Sequence, residues 1–192
     1  MSEGFIPKHG GYKKLLSYQK ALVVYKGTMR FAKRWVRFGS RTRDQMEQAA
    51  RSGKQNIVEG SKASALSKEM EIKLTNVALC SQEELLEDYR DFLSDRDAEV
   101  WPPTHPYALR LRELCRLPGA TYADFKRGIE HDDPLIAANV MIGLVRVTIR
   151  LLEGQVKRLE QDFLKEGGLR ERMTRARLKA RSEDAEMKRR RP

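Results

Sequence analysis

The amino-acid sequence predicts an all-α protein organised as an antiparallel up-down-up-down four-helix bundle. Four long segments repeat apolar residues every three or four positions, as helices with one buried face do. No segment alternates apolar and polar residues over the length that a half-buried strand needs. Hydrophobic residues make up 40% of the 192 residues, which is enough for one packed core. We therefore predict a bundle over residues 12–166, with residues 97–133 inserted between its third and last helices.

The first bundle helix is predicted from about Tyr12 to Gly39, after a lead-in over residues 1–11 whose glycines and proline indicate flexibility. Its apolar residues step alternately by three and four, which predicts a heptad seam facing the neighbouring helices. The seam consists of Leu15, Tyr18, Leu22, Tyr25, Met29, Ala32 and Val36. Gly39 can end the helix in the left-handed conformation, which costs glycine no Cβ clash.

The second and third bundle helices are predicted to pack face to face. Ser40 or Thr42 can cap the second helix, which ends just after Gly60. Ser67 can cap the third helix, which reaches about Arg96. The stripe of the second helix contains Met46, Ala49, Ala50, Gly53, Ile57 and Gly60. The stripe of the third contains Met70, Leu74, Val77, Ser81, Leu85, Tyr89 and Phe92. Small residues in the first of these stripes allow the two backbones to approach closely.

Residues 97–133 interrupt the pattern and are predicted to form an insertion. The prolines between positions 102 and 106 exclude one continuous helix, whereas residues 106–117 and 121–129 can form two short ones. The side chains expected to pack on one end of the bundle are Trp101, Leu109, Leu114 and Phe125. The alternative is that the insertion is a mobile arm.

The last bundle helix is predicted to begin at Pro134, because proline is favoured at the first helical position, and to end at Gly167. Its main stripe contains Leu135, Ala138, Ile142, Val145, Ile149, Leu152, Val156, Leu159 and Phe163. A second stripe contains Ile136, Val140 and Val147. Apolar residues on two sides of one helix predict contact with another subunit. The basic tail over residues 167–192 is expected to be disordered or conditionally helical.

Two short motifs on the second and third helices resemble a known family. They are residues 56–60, NIVEG, and residues 81–85, SQEEL. Together they are similar to the four-helix-bundle family of bacterial rRNA intervening-sequence proteins, to which the accessory proteins of diversity-generating retroelements belong. The resemblance covers about residues 12–96, and the last long helix matches in kind. It implies a ring-like homo-oligomer, pentameric in that family, which engages RNA or DNA and a partner reverse transcriptase. The insertion and the basic tail lie outside it.

Charge is distributed unevenly along the chain. Residues 1–60 carry a net charge of +9, residues 61–167 carry −4, and residues 168–192 carry +6, within a total of +11. A basic first third beside an acidic middle favours a polyanionic partner, or the assembly of opposite faces of two copies, over a merely solvated surface.

The predicted nucleic-acid contacts are cations of the first helix and of the turn after it. No acidic residue lies between Lys8 and Arg43, so little within this segment neutralises them. The candidate contacts are Lys13, Lys20, Lys26, Arg30, Lys33, Arg34, Arg37, Arg41 and Arg43. Such a surface should bind nucleic acid tightly at low salt and poorly at high salt, because neutralised phosphates release counterions. The alternative is a solvated face without a ligand, and the basic tail has the same two interpretations.

Enzymatic chemistry is not expected. The histidines, His9, His105 and His131, lie in irregular or terminal positions, and there is no phosphate-binding glycine loop or zinc-ligand spacing. Glu59 and Glu84 are interpreted as structural acids that are at least half-buried and accept hydrogen bonds from Asn56, Ser81 or nearby backbone groups. We therefore predict no catalytic residue, no metal and no cofactor.

The expected compartment is the cytoplasm. No apolar run is expected to approach the roughly 20 residues of a membrane span, and the first residues contain no hydrophobic signal region. Two cysteines provide neither a disulfide framework nor a metal site, which is typical of a reducing compartment. Cys80 is expected to be a small buried hydrophobic residue.

The sequence therefore predicts a non-enzymatic, oligomeric accessory protein that binds RNA or DNA and has a reverse transcriptase as a possible partner. The alternative is a protein-interaction scaffold whose basic face docks an acidic protein. A third hypothesis assigns the specific function to the insertion, which could close a pocket at the end of the bundle.

Overall fold

The computed structural model describes residues 11–190, and within this range the protein is all-helical, with no strand. Except for Gly11, the lead-in predicted to be flexible lies outside the described residues. A 3-10 helix over Gly11–Lys14 precedes the first α-helix. The α-helices are α1 (Leu16–Trp35), α2 (Arg41–Ala63), α3 (Lys68–Ser94), α4 (Pro106–Arg116), α5 (Tyr122–Ile129), α6 (Pro134–Glu166) and α7 (Leu169–Arg190).

The four long helices α1, α2, α3 and α6 form the packed body of the protein. Helix α1 packs against α2 and α6, and α3 packs against the same two helices. Gly60 of α2 lies against Glu71 while Gly53 lies against Gln82, so α2 and α3 run in opposite directions. The main apolar cluster contains buried side chains from all four helices, together with side chains of α4 and α5. Burying each large apolar side chain contributes about 1.5–3 kcal/mol, so this cluster is the main source of stability.

The helix starts follow the predicted local signals. Ser40 and Ser67 each accept a hydrogen bond from the backbone N–H three residues later, at 3.3 and 3.1 Å. Thr121 forms a capping box with Asp124 at the start of α5. Pro134 is the first residue of α6, as predicted. Each cap satisfies N–H groups that the first turn of a helix leaves unpaired.

The buried face of α1 is rotated by about one residue from the predicted seam, which was wrong in this respect. Six of its seven residues are only partly buried, and Ala32 alone is fully buried. The residues buried in addition are Ser17, Lys20, Ala21, Val23, Val24, Gly27, Thr28 and Phe31. Helix α1 is covered by α2, α5 and α6 together, so its buried arc is wider than a two-helix seam and centres on Val24, Thr28 and Phe31. This rotation takes Lys20 into the interior.

The buried stripe predicted for α3 is confirmed in the second half of the helix and is wrong in the first half. Leu85, Tyr89 and Phe92 are buried, and the Tyr89 hydroxyl donates to Thr28 Oγ1 of α1 at 3.1 Å. Met70, in contrast, is 47% exposed. Cys80 is also exposed, which corrects the prediction that it is a buried hydrophobic residue. Near its start α3 buries Thr75 and Ala78 instead, because that face meets both α2 and α6.

The second apolar stripe of α6 is covered by the insertion of the same chain. Helices α4 and α5 both pack on α6, and Val140 is 7% exposed beneath them. Leu111 of α4 occupies the place where a side chain at Gly143 would lie. The insertion therefore buries Leu111 and Phe125, whereas Leu109, predicted to be packed, is 44% exposed. The insertion thus accounts for part of the second stripe within one chain, and contact of α6 with another subunit stays a prediction.

Helix α6 is long and apolar enough to cross a membrane by length and composition alone. An 18-residue window within residues 134–171 has a mean hydropathy of 1.8, which corrects the expectation that no segment approaches a span. Of that window, 56% is buried inside the structure. A core helix that packs on several neighbours has the same composition, so the feature is weak evidence for a membrane.

The tail predicted as disordered or conditionally helical is helical over Leu169–Arg190. Its described side chains are almost all exposed, and Lys179 Nζ lies 3.9 Å from Glu183 Oε1. Helix α7 therefore depends on local propensity and on such pairs one turn apart more than on packing.

Candidate nucleic-acid interface

Four of the predicted contacts form an exposed group, which we call the α1 strip. The α1 strip consists of Lys26, Lys33, Arg37 and Arg41. Within residues 11–190 none of these four side chains forms an ion pair or a hydrogen bond. The buried arc of α1 centres on Val24, Thr28 and Phe31, so positions two residues later point to solvent. Within the described part of the chain, the fold leaves these four predicted cations free for a ligand.

Arg30 and Arg34 are engaged with the segment between α5 and α6. Arg30 lies 3.7 Å from a carboxylate oxygen of Glu130, and Arg34 lies 2.6 Å from one of Asp132. Arg34 also donates to the backbone carbonyl of Glu130 at 3.0 Å and lies over the Trp35 ring at 4.6 Å. The hydrogen bond and the charge of Arg34 lower the pKa of the Asp132 carboxyl. Both arginines therefore join α1 to the insertion, and their charge is partly compensated.

Arg43 is also paired. Its side chain is 17% exposed, and its Nε donates to Glu47 at 2.9 Å. Its guanidinium lies 5.4 Å from the ring centroid of Phe38, which is itself 86% exposed. Arg43 therefore provides less free charge than the α1 strip.

Lys20 and Lys13 lie apart from this group. Lys20 is 5% exposed, with its ammonium 4.8 Å from the ring centroid of Phe125, so it cannot be a surface contact and that prediction is corrected. The cause is helix α5, which covers this side of α1. Lys13 is exposed in the 3-10 helix, at the opposite end of α1 from Arg37, about 30 Å away along the 20-residue helix. Two separate basic areas therefore replace the single continuous face that the sequence predicts.

A shallow depression lies between α1, α2 and α5, beside the α1 strip. Its charged lining residues are Lys26, Arg30, Lys33, Arg43, Glu47 and Glu130. Four cations and two carboxylates leave a positive balance. Tyr122 donates to Glu130 at 2.8 Å, and burial, followed by that hydrogen bond, raises the pKa of its hydroxyl. The depression is therefore mixed in charge, with the uncompensated cations on the α1 side.

An acidic groove that sequence reasoning missed lies between α2 and α3. Its carboxylates are Asp44, Glu84, Glu87 and Asp88, and Arg41 lies at its edge. Burial raises the pKa of Asp88 from 3.8 to about 6, and the nearby charges of Asp91 and Glu84 act in the same direction. In the sequence the signal was the acidic run at residues 83–91, whose side chains fall partly on the helix face toward α2. The groove makes this face unfavourable for nucleic acid.

We expect the substitution Asp88→Asn to stabilise the protein near pH 7.5. The folded state holds the Asp88 proton more tightly than the unfolded state, because its pKa of about 6 lies above 3.8. The contribution of Asp88 to the free energy of unfolding is therefore fully present below about pH 3.8, and it is lost as the pH rises through about 6. Urea unfolding between about pH 4 and pH 7.5 should show a gain from the substitution that grows with pH. The control is Glu83→Gln, on the exposed side of the same helix. An equal gain in stability for this control would contradict this account, as would a loss of stability for Asp88→Asn at pH 7.5.

Glu59 and Glu84, interpreted as half-buried structural acids, are both exposed, so that prediction is wrong. Glu59 accepts from Gln55 at 3.2 Å, whereas Asn56 donates to Ser52 and Ser81 lies 3.0 Å from the Ser52 hydroxyl. Over the described part of the chain, no group of three or more His, Cys, Asp or Glu side chains is arranged to hold a metal ion.

Comparison of this chain with protein-family models, with curated proteins and with solved structures found no match.

Proposed function

We propose that this chain is a nucleic-acid-binding accessory protein without catalytic activity, which contacts a phosphate backbone through the α1 strip. The observation that supports the proposal is the set of exposed cations at Lys26, Lys33, Arg37 and Arg41, which have no partner among residues 11–190. Lys26 and Lys33 lie about two turns apart on one edge of α1, and Arg37 and Arg41 follow in the turn after it and at the start of α2, so a flexible single strand could contact them in succession. Exposed cations that form no intramolecular pair lose no existing contact when they bind phosphate.

The finer architecture that fits this proposal is the antiparallel up-down-up-down bundle of the rRNA intervening-sequence family. Ser17 at the start of α1 donates to Gln155 late in α6, whereas Arg34 at the end of α1 meets Asp132 just before α6. These contacts, with the opposite directions of α2 and α3, support the alternating arrangement. Assembly into a homo-oligomer, pentameric in that family, and partnership with a reverse transcriptase rest on the resemblance alone. Light scattering on the purified protein tests the oligomer, and one chain per particle would exclude it.

Binding to single-stranded RNA should weaken steeply with salt. Electrophoretic shift between about 50 and 200 mM salt should give a log–log slope of about −3, since four neutralised phosphates contribute about −0.7 each on a single strand. Single-stranded DNA of the same sequence measures any preference for ribose. Absence of binding at about 50 mM salt, or affinity that does not change with salt, would exclude the proposed role.

A protein-interaction scaffold is the second candidate, and the exposure of Phe38 favours it. Its ring is 86% exposed beside the α1 strip, and exposed aromatic residues next to arginine are typical of protein-binding surfaces. Titration of the same protein with poly-glutamate and with single-stranded RNA separates the candidates. Tighter binding to RNA supports the first, and equal or tighter binding to the acidic polypeptide supports the scaffold.

A further inference from the structure

A second cationic site lies away from α1, in a cavity between α4, α6 and the segment that precedes α4. The cavity has a volume of about 180 Å³. Arg112 of α4 and Arg146 and Arg150 of α6 line it, and no carboxylate does. Its other walls are largely apolar, with Trp101 and Leu111 among them.

The walls of this cavity are held in place by buried contacts. Asn139, 5% exposed, accepts a hydrogen bond from the Trp101 backbone N–H at 2.7 Å and donates to the Glu99 carbonyl at 3.3 Å. These bonds attach the segment before α4 to α6. Gly143 lies one turn before the first α6 arginine, and Leu111 fills the space that its missing side chain leaves. The cavity is therefore a defined part of the packed structure rather than a gap between loops.

The three arginines have no acidic partner there. In the described part of the chain, neither Arg146 nor Arg150 forms a hydrogen bond or an ion pair, and Arg112 donates only to the Pro103 carbonyl, at 3.4 Å. Burial and the nearby charge of Arg90 lower the pKa of the Arg146 guanidinium, whereas the charge of Glu87 acts to raise it. Guanidinium groups remain charged at neutral pH, so the three lining arginines give the site a net positive charge next to apolar walls.

We propose that this cavity binds a small organic phosphate, with its phosphate on Arg112, Arg146 and Arg150 and its apolar body against Trp101 and Leu111. Arginine suits phosphate because its planar donors pair with two oxygens at once. The volume is below the roughly 300–1,000 Å³ of pockets for larger ligands, so the body is about the size of a single ring. This site is independent of the α1 strip and of the function proposed for it.

Calorimetric titration of the full chain with phenyl phosphate tests the proposal. We expect one site per chain and affinity at least about tenfold tighter than that of inorganic phosphate, benzoate or benzyl alcohol, which each lack part of the ligand. The indole N–H resonance of Trp101 should shift in step with binding. No binding at about 10 mM phenyl phosphate, or equal affinity for inorganic phosphate, overturns the proposal.

The double substitution Arg146→Gln/Arg150→Gln should weaken phenyl phosphate at least about tenfold, and Arg112→Gln alone should weaken it in the same direction. The matched control is Arg116→Gln, on α4 outside the cavity, which should leave affinity within about twofold. Equal loss in this control indicates general charge attraction and overturns the site. Circular dichroism verifies the fold of each variant. RNA binding by the double variant should be unchanged. Its loss would assign these arginines to the nucleic-acid interface and overturn the proposal of a separate site for a small organic phosphate.

Discussion

Reversing three charges of the α1 strip should nearly abolish RNA binding and leave the fold intact. In the triple variant Lys26→Glu, Lys33→Glu and Arg37→Glu, each replaced side chain is exposed and forms no ion pair within residues 11–190. No ion pair or hydrogen bond among the described residues is therefore lost, whereas three attractions to phosphate become repulsions. We expect affinity to fall at least about 100-fold at about 100 mM salt, measured by fluorescence anisotropy with a labelled single-stranded RNA. The thermal midpoint should change little, as for other exposed substitutions.

The matched control reverses three exposed cations elsewhere: Lys73→Glu, Arg116→Glu and Lys157→Glu. It has the same net charge as the first variant, so it separates local contact from overall charge. We expect it to retain most of the affinity, because screening limits the effect of distant charges to about 10 Å at 0.1 M salt. Equal loss in the two variants would show that the α1 strip is not the interface.

Arg30 and Arg34 are left unchanged in this test for a structural reason. Their contacts with Glu130 and Asp132 connect α1 to the insertion. Reversing them would place like charges together, so a loss of binding could come from displacement of α5. The cations most useful for the test are those that the fold does not use.

The second large effect is expected where α2 and α3 meet. Gly53 is buried, and a Cβ at this position would overlap the side-chain amide of Gln82. Gln82 is itself 0% exposed, and neither its amide nitrogen nor its oxygen has a hydrogen-bond partner in the described structure. We expect Gly53→Ala to destabilise the protein by about 1–3 kcal/mol in urea unfolding, since overpacking here exceeds the gain in helix propensity.

Two comparisons identify the cause of this effect. Gly154→Ala on α6, where no described residue lies within 4 Å of an added Cβ, should stabilise the protein by about 0.5–1 kcal/mol. Gln82→Ala removes the overlapping amide, so Gly53→Ala should cost much less in that background. If Gly53→Ala destabilises both backgrounds equally, the contact with Gln82 is not the reason.

Local sequence signals were sufficient for the helix starts and for the α2 stripe. Ser40 and Ser67 cap the helices that they were predicted to begin, because a cap is a contact between residues within one turn. The small residues Ala50 and Gly53 are buried as predicted, because the buried arc of α2 matches the periodicity of its apolar and small residues. Net charge follows from composition, and its distribution along the chain follows from the order of the residues.

Contacts between distant segments decided which cations remain available. Lys20 is buried because α5 closes over α1, and Arg34 is paired with Asp132, 98 positions away. Likewise the cavity lined by Arg112, Arg146 and Arg150 forms only because α4 packs on α6. The sequence shows that Arg146 and Arg150 interrupt an otherwise apolar stretch, but it does not show that Arg112 lies beside them.

Periodicity shows that a helix has a buried face, but the number of neighbours sets the width and centre of that face. On α1 the buried face is rotated by about one residue from the predicted seam, because three helices pack on it. As a result Lys20 is buried, whereas Lys26 and Lys33 are exposed to solvent. The sequence therefore showed the type and spacing of the residues on each helix. Their exposure and pairing depended on segments that meet only in the folded protein.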